Sequence, residues 1–287
     1  MEKKLNKIKV IVPFYNAAQY ITNCAQSILQ QDYDNFEVVF IDDASTDGSF
    51  DNLPKCSYKK NEDGTIKIGD DGKPEIDSCD AIFEITKCLN VITIQSPERR
   101  TALPNIHFAI MQYCNDLEDI VVLIDGDDAI SKGTLSYVND LYNENKNWVH
   151  YGSSKWSNGM RPCDSEYTKE EYQNVRKAPF RVSHLRSFRF GAYLQIPKQD
   201  PDLKCYKWDD GKWFTHSYDT AMFFALLDIT PFDKLKRSDK ILYYYNRENI
   251  LNEDKNGGQS IQTAVHIECS NRPPFKQVLD YHTGELA

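Results

Sequence analysis

Two short apolar runs in this chain end abruptly in clusters of carboxylates. Phe36 to Ile41 passes into Asp42-Asp43-Ala-Ser-Thr-Asp47-Gly48, and Ile120 to Ile124 passes into Asp125-Gly-Asp127-Asp128. Unpaired carboxylates stay out of an apolar core, and Asp, Ser and Gly favour turns, so neither cluster continues the strand before it. Each reads as a solvent-facing loop at the carboxyl end of a strand. A parallel sheet gathers such ends on one edge.

The rest of the first half supports that sheet. Ile8 to Val12 is a β-branched run closed by Pro13, and Val91 to Ile94 is another short strand. From Ala17 to Gln31 the apolar residues Ile21, Cys24, Ala25, Ile28 and Leu29 recur at helical spacing. From Thr101 to Cys114 the stripe is Ile106, Ala109, Ile110, Tyr113 and Cys114. Strands alternating with amphipathic helices predict right-handed βαβ units: an α/β fold with a Rossmann-like, mostly parallel sheet flanked by helices.

Elsewhere the pattern loosens. Between Cys56 and Asp80, Lys59-Lys-Asn-Glu-Asp-Gly64 and Gly69-Asp-Asp-Gly-Lys-Pro74 flank Thr65-Ile-Lys-Ile68, which predicts a polar insertion carrying a hairpin on the surface. After about residue 150 the text turns aromatic and basic. Helical spacing returns at Met222, Ala225, Leu226 and Ile229, with Ser217 as the expected N-cap. Ile241 to Tyr245 follows as a strand, and from Asn246 onward no secondary-structure signal stands out.

Composition narrows the function classes. The chain is 40% hydrophobic and carries 13 Gly and 12 Pro in 287 residues, which excludes disordered and collagen-like chains. A formal net charge of −9 repels phosphate backbones, so nucleic acid is not an expected partner and any phosphate ligand must be handled locally. The longest uncharged apolar stretch, Ala221 to Leu227, is far shorter than the ~20 residues of a membrane span. Pro13 and Asn16 interrupt anything resembling a signal peptide, and the expectation is a cytoplasmic protein. Eight scattered cysteines without a C-x-x-C pair indicate reduced, mostly buried thiols.

Three carboxylates within four residues, with a Gly that lets a ligand approach the backbone, suit Mg²⁺ or Mn²⁺ bridged to a substrate diphosphate. A solvated turn is the plainer reading of Asp125 to Asp128. Asp42 could accept a hydrogen bond from a base N–H, or could serve only turn chemistry in its own loop.

Val10-Ile-Val-Pro-Phe-Tyr-Asn16, the Asp42 to Gly48 loop and Asp125-Gly-Asp127-Asp128 together resemble the family-2 glycosyltransferases of GT-A fold, over roughly residues 8 to 145, with weaker matches around 219 and 243 to 247. The resemblance implies that residues 1–150 form the nucleotide-sugar half, with the insertion at about 56–80. Residues 151–287 would form a less regular half of the same domain, binding the acceptor and carrying the base. It implies that Pro13 and Tyr15 border the nucleotide base, that Asp42 contacts it, that Asp125 holds the ribose and that Asp127 holds the metal. It also implies a catalytic carboxylate at the start of a later helix. Tyr218-Asp219-Thr-Ala-Met fits that helix, with Tyr218 where the family usually has the first of two acids, and Asp219 becomes the candidate base. After the third strand, Arg99 or Arg100 would face the nucleotide, and Arg100 is taken as the donor-binding candidate.

The implied reaction is displacement at an anomeric carbon of a nucleoside-diphosphate sugar, expected to be a UDP-sugar, by a hydroxyl of a glycan or glycoconjugate, with inversion. Ser183-His-Leu-Arg186-Ser-Phe-Arg189 is read as helical, with Leu185 and Phe188 on one face. His184, Arg186 and Arg189 in it are candidate contacts for the diphosphate or an anionic acceptor, the arginines otherwise being partners of surface acids. His184 or His266 could add a metal ligand, or be structural. One rival is a haloacid-dehalogenase-type phosphatase, whose Asp-x-Asp motif fails here because Asp128-Ala129 follows. The other is a noncatalytic nucleotide-sugar or glycan-binding module on the same fold.

Overall fold

The computed structural model describes residues 4–62, 65, 67, 75–79, 90–162, 164–255 and 257–287. The strands expected in the first half form as β1 (Ile8–Phe14), β2 (Phe36–Asp42), β5 (Val91–Gln95) and β6 (Ile120–Leu123). Between them lie α1 (Ile21–Leu29) and α2 (Ala102–Tyr113). The buried residues of α1 are Ile21, Cys24, Ala25, Ile28 and Leu29, the stripe that its sequence spacing predicts. Each of the three large aliphatics is worth about 2 kcal/mol when fully buried.

An eight-stranded sheet organises the molecule, in the order β5-β2-β1-β6-β9-β8-β10-β7. The first four strands are parallel, and β8 (Val149–Trp156) and β10 (Leu235–Tyr245) pair in parallel with each other. β9 (Arg186–Arg189) runs antiparallel between β6 and β8, and β7 (Ala129–Ile130) is an antiparallel edge against β10. One core packs α1 and α3 (Thr134–Asn145) on one face of the sheet. The other packs α2, α4 (Tyr218–Ile229) and α5 (Gly258–Asn271) on the opposite face. With both faces covered, β1 is buried at all seven positions, which is why it reads as an apolar run interrupted only by Lys9, itself paired with Glu37 of β2.

Four readings of the second half need correction. Residues 183–189 are not helical: Arg186 to Arg189 form β9, with Leu185 packed into one core and Phe188 into the other. Hydrogen bonding to strands on both sides overrides any helical spacing in so short a segment. The aromatic stretch begins with an unanticipated strand, β8, and the polar tail contains a fourteen-residue helix, α5. Ser217 precedes α4 but makes no side-chain cap, its φ being +53°. In the insertion the paired strands are β3 (Cys56–Tyr58) and β4 (Ile76–Cys79); Ile66 and Ile68 of the expected hairpin lie outside the described residues. Cys24, Cys114, Cys205 and Cys269 are buried free thiols. Among the described residues, no helix is long and apolar enough to cross a membrane.

Candidate active site

The carboxyl ends of β1, β2 and β6 converge as the sequence requires. Phe14 pairs in register with Asp42, and the loop after β6 is tied to β1 by Ile124 N–H donating to Ile11 O (3.1 Å) and Gly126 N–H donating to Pro13 O (3.1 Å). A Cβ at residue 126 would lie 2.4 Å from the Phe14 Cβ, so only glycine allows the acidic loop to press against the end of β1. Against the expectation of solvent-facing loops, Asp42 is the last residue of β2, and Asp42, Asp43 and Asp128 are buried because hydrogen bonds satisfy them. Asp42 accepts from Ser45 N–H (2.9 Å) and the Gln95 side-chain amide (3.0 Å). Asp43 is structural: it accepts from the backbone N–H of Arg100 and Thr101 and from the Asn105 amide, fixing the turn before α2. That turn carries Arg99, whose guanidinium stacks 3.9 Å over the Tyr15 ring. Arg100, the donor-binding candidate, has a half-exposed side chain beside Glu98.

The three carboxylates of the second loop differ in partners. Asp125 Oδ1 accepts from the Tyr218 hydroxyl at 2.6 Å, and Asp127 Oδ2 accepts from the Asn249 amide at 2.7 Å. Asp128 is buried and accepts from the Tyr243 hydroxyl (2.5 Å) and from Asn246 N–H (2.7 Å). Burial pushes all three upward, Asp125 to about 6 and Asp128 well above the usual carboxylate range, where the negative charges of Asp127 and Asp125 add to the effect. Three withdrawn acids side by side are what a divalent cation relieves.

His184 completes the picture. Its ring stacks on Tyr243 with 4.3 Å between centroids, and its Nδ1 is buried without a hydrogen-bond partner. Ligand atoms of Asp125, Asp128 and His184 lie within 4.8 Å of one another. Burial, then the charge of Arg186, holds the imidazole well below its usual range, in the neutral form that ligates metals. The two carboxylates suit a hard ion such as Mg²⁺ or Mn²⁺, and the imidazole is a donor that Mn²⁺ takes more readily than Mg²⁺. The expected metal ligand Asp127 lies outside this group and is bonded to Asn249.

Asp219 opens α4 next to this cluster. Its Oδ2 accepts from the buried Arg186 guanidinium at 2.5 Å and its Oδ1 from Thr220 N–H at 2.8 Å. Tyr218, the residue before it, reaches Asp125, so the helix start and the acidic loop are joined by a hydrogen bond. Arg189 is at the opposite edge of the sheet, paired in register with Ile120 at the start of β6 and bonded to Glu118 and Asn6. Three residues apart on an extended strand, the two arginines point to opposite faces, and Arg189 cannot share the diphosphate role expected of Arg186. His266 lies on α5 against the rings of Phe180 and Phe224, outside the metal-ligand group.

Asn249 and Glu253 carried no signal in the sequence, and Asn246 lay only within the weaker resemblance at 243 to 247; Asn246 and Asn249 bond to Asp128 and Asp127 of the acidic loop, and Glu253 to Ser217 at the start of α4. Tyr243 could have been found, because it lies in the predicted strand Ile241 to Tyr245 and within the weaker resemblance at 243 to 247. Two clefts of about 910 and 1100 Å³ lie near Arg176 and Arg272; one includes Leu227 and Asp228 at the far end of α4, and neither touches the acidic loop.

The model of glycosyl transferase family 2 matches residues 9–67, and the fold is that of solved glycosyltransferases of GT-A architecture. Among curated relatives, glycosyltransferase GlyG of Streptococcus pneumoniae is 48% identical over 42 residues, 15% of this chain and 14% of that protein. Among solved structures, residues 1–349 of TarS from S. aureus in complex with UDP-GlcNAc superpose with a TM-score of 0.53 at 19% identity, covering 85% of this chain and 59% of that one. Mannosyltransferase PcManGT from Pyrobaculum calidifontis, in complex with GDP-Man and Mn²⁺, gives 0.50 at 18% identity, covering 93% and 63%. The chain thus matches only a fraction of the length of these proteins.

Proposed function

We propose that this chain is a metal-dependent, inverting glycosyltransferase that moves a sugar from a nucleoside-diphosphate donor, a UDP-sugar, to a hydroxyl of a glycan or glycoconjugate. The observation that carries the reading is the convergence of Asp125, Asp128 and His184 beside the Arg186–Asp219 pair, at the carboxyl edge of the sheet. Residues 1–150 supply the donor side, with Pro13, Tyr15 and Asp42 at the nucleotide base. The stacking of Arg99 on Tyr15 favours Arg99 over Arg100 as the nearby cation. Asp128, His184 and Asp125 would hold Mn²⁺ or Mg²⁺, with Asp127 as the further candidate. One oxygen of Asp125 is already used by Tyr218, which leaves the other for ribose or ion.

A bound divalent ion supplies the positive charge that stabilises the departing diphosphate. The protein's own groups do the rest. Asp219 takes the proton of the acceptor hydroxyl as its oxygen bonds to the anomeric carbon and the bond to the diphosphate oxygen breaks; a single displacement inverts that carbon. Arg186 holds Asp219 by one oxygen and leaves the carboxylate oriented by its other contact, Thr220 N–H. Tyr218 keeps the donor-side acid in register with the base.

Incubation with UDP-sugars, Mn²⁺ and a panel of glycan acceptors tests the reading, with product linkage read by NMR. Transfer with inverted anomeric configuration is expected. Retained configuration contradicts the single displacement, and donor binding without turnover under every acceptor favours the noncatalytic module.

A further inference from the structure

The segment between β10 and α5 is fastened at both sides of the active site. Asn246 N–H donates to Asp128 and the Asn249 amide to Asp127, while Lys255 Nζ donates to the carbonyls of Arg247 and Asn249 and closes the segment on itself. Its Glu253 turns the other way. Glu253 Oε2 accepts from Ser217 N–H at 2.8 Å, and Ser217 is the left-handed residue from which α4 starts. A non-glycine residue in that region costs about 1 kcal/mol or more and persists only where its surroundings hold it. The packing is tight: a Cβ on Gly258 would lie 1.6 Å from Glu253 O. The next two residues, Tyr218 and Asp219, then make their bonds to Asp125 and Arg186.

We infer that Glu253 is a positioning residue: by holding the Ser217 N–H it fixes the entry into α4 and sets where Asp219 stands relative to the acidic loop. This rests on the glycosyltransferase reading for its consequence, though not for its geometry. Glu253 touches neither substrate nor ion in this role. It links the segment that covers Asp127 and Asp128 to the helix that presents the base, so the donor side and the acceptor side move as one piece.

The test compares full-length wild type, Glu253→Ala and Glu253→Gln in two measurements. The first is amide hydrogen exchange over residues 217–221 without ligand. Alanine should speed exchange there by about tenfold, and glutamine, whose carbonyl still accepts from Ser217, should stay within about threefold of wild type. The second is UDP release from UDP-sugar with Mn²⁺, alongside calorimetric affinity for UDP and Mn²⁺. Alanine should slow release by about tenfold or more with UDP affinity changed less than about twofold, and glutamine should restore most of the rate. Unchanged exchange in the alanine variant overturns the link. Faster exchange with normal release overturns its role in the reaction, and a parallel loss of affinity and rate, unrescued by glutamine, reduces Glu253 to general support. A wild type that releases no UDP counts against the glycosyltransferase reading, while the exchange data still decide the link.

Discussion

Replacing Asp219 by asparagine separates electrostatics from catalysis, because the structure specifies what the carboxylate neutralises. Arg186 is 5% exposed, its Nε has no hydrogen-bond partner, and one terminal nitrogen lies 2.5 Å from Asp219, which is itself a quarter exposed. At an effective dielectric of about 20, two unit charges about 4 Å apart attract by about 4 kcal/mol. Asparagine retains one neutral hydrogen bond of about 1 kcal/mol, and the nearby charge of Asp125 retains part of the compensation, so the net loss should be about 2 to 3 kcal/mol. With an unfolding entropy of about 2.1 cal/mol/K per residue, that lowers the melting temperature by about 4 °C. Urea denaturation of wild type, Asp219→Asn, Arg186→Met and the double variant closes a thermodynamic cycle, with a coupling of about 2 kcal/mol expected. A single variant within 0.5 kcal/mol of wild type, or a coupling near zero, would refute the claim that Asp219 balances the buried guanidinium. The rate should fall by about 10² or more, a loss far larger than a stable, folded variant explains.

Gly126→Ala should destabilise the fold by about 1 to 3 kcal/mol and weaken UDP binding, because the methyl group would meet Phe14 at 2.4 Å; wild-type stability on thermal denaturation would contradict the close approach. Burial, with the charges of Asp219 and Asp125 adding to it, raises the Glu253 carboxyl to about 7 against an ordinary 4.5, so between those pH values the folded chain holds more protons than the unfolded one. Its contribution to stability is therefore complete below about pH 4.5 and lost as the pH rises through 7, at most about 3 kcal/mol, and Glu253→Gln should flatten that part of a stability-against-pH curve measured in EDTA. Asp128→Asn should weaken Mn²⁺ binding in calorimetry by about tenfold or more, and a variant with unchanged affinity would remove Asp128 from the ion site.

How far the sequence could be read depended on how local the determinants were. The α1 stripe and the runs at Ile8, Phe36 and Ile120 announce themselves because a two-sided core demands apolar residues at most strand positions, Lys9 and Glu37 being a paired exception, and at helical spacing in between. The edge that carries Asp42 and Asp125 follows from strand direction alone. β9 was hidden because four residues cannot declare a period, and only its neighbours β6 and β8 decide that it is a strand. That error moved Arg189 into the site, whereas the extended backbone sends it to the other edge. The role of His184 depends on a ring stacked on Tyr243, fifty-nine residues later, and that of Glu253 on one backbone N–H; neither leaves a pattern along the chain.

The central claim is that an acidic, metal-binding edge of this sheet activates a nucleotide sugar. Release of UDP from UDP-sugar by the full chain, followed with Mn²⁺ and then with excess EDTA, tests it most directly. The account predicts release that depends on the divalent ion, returns when Mn²⁺ is restored, and is lost in Asp219→Asn while UDP still binds. Equal release in EDTA, or an Asp219→Asn variant as fast as wild type, would contradict it.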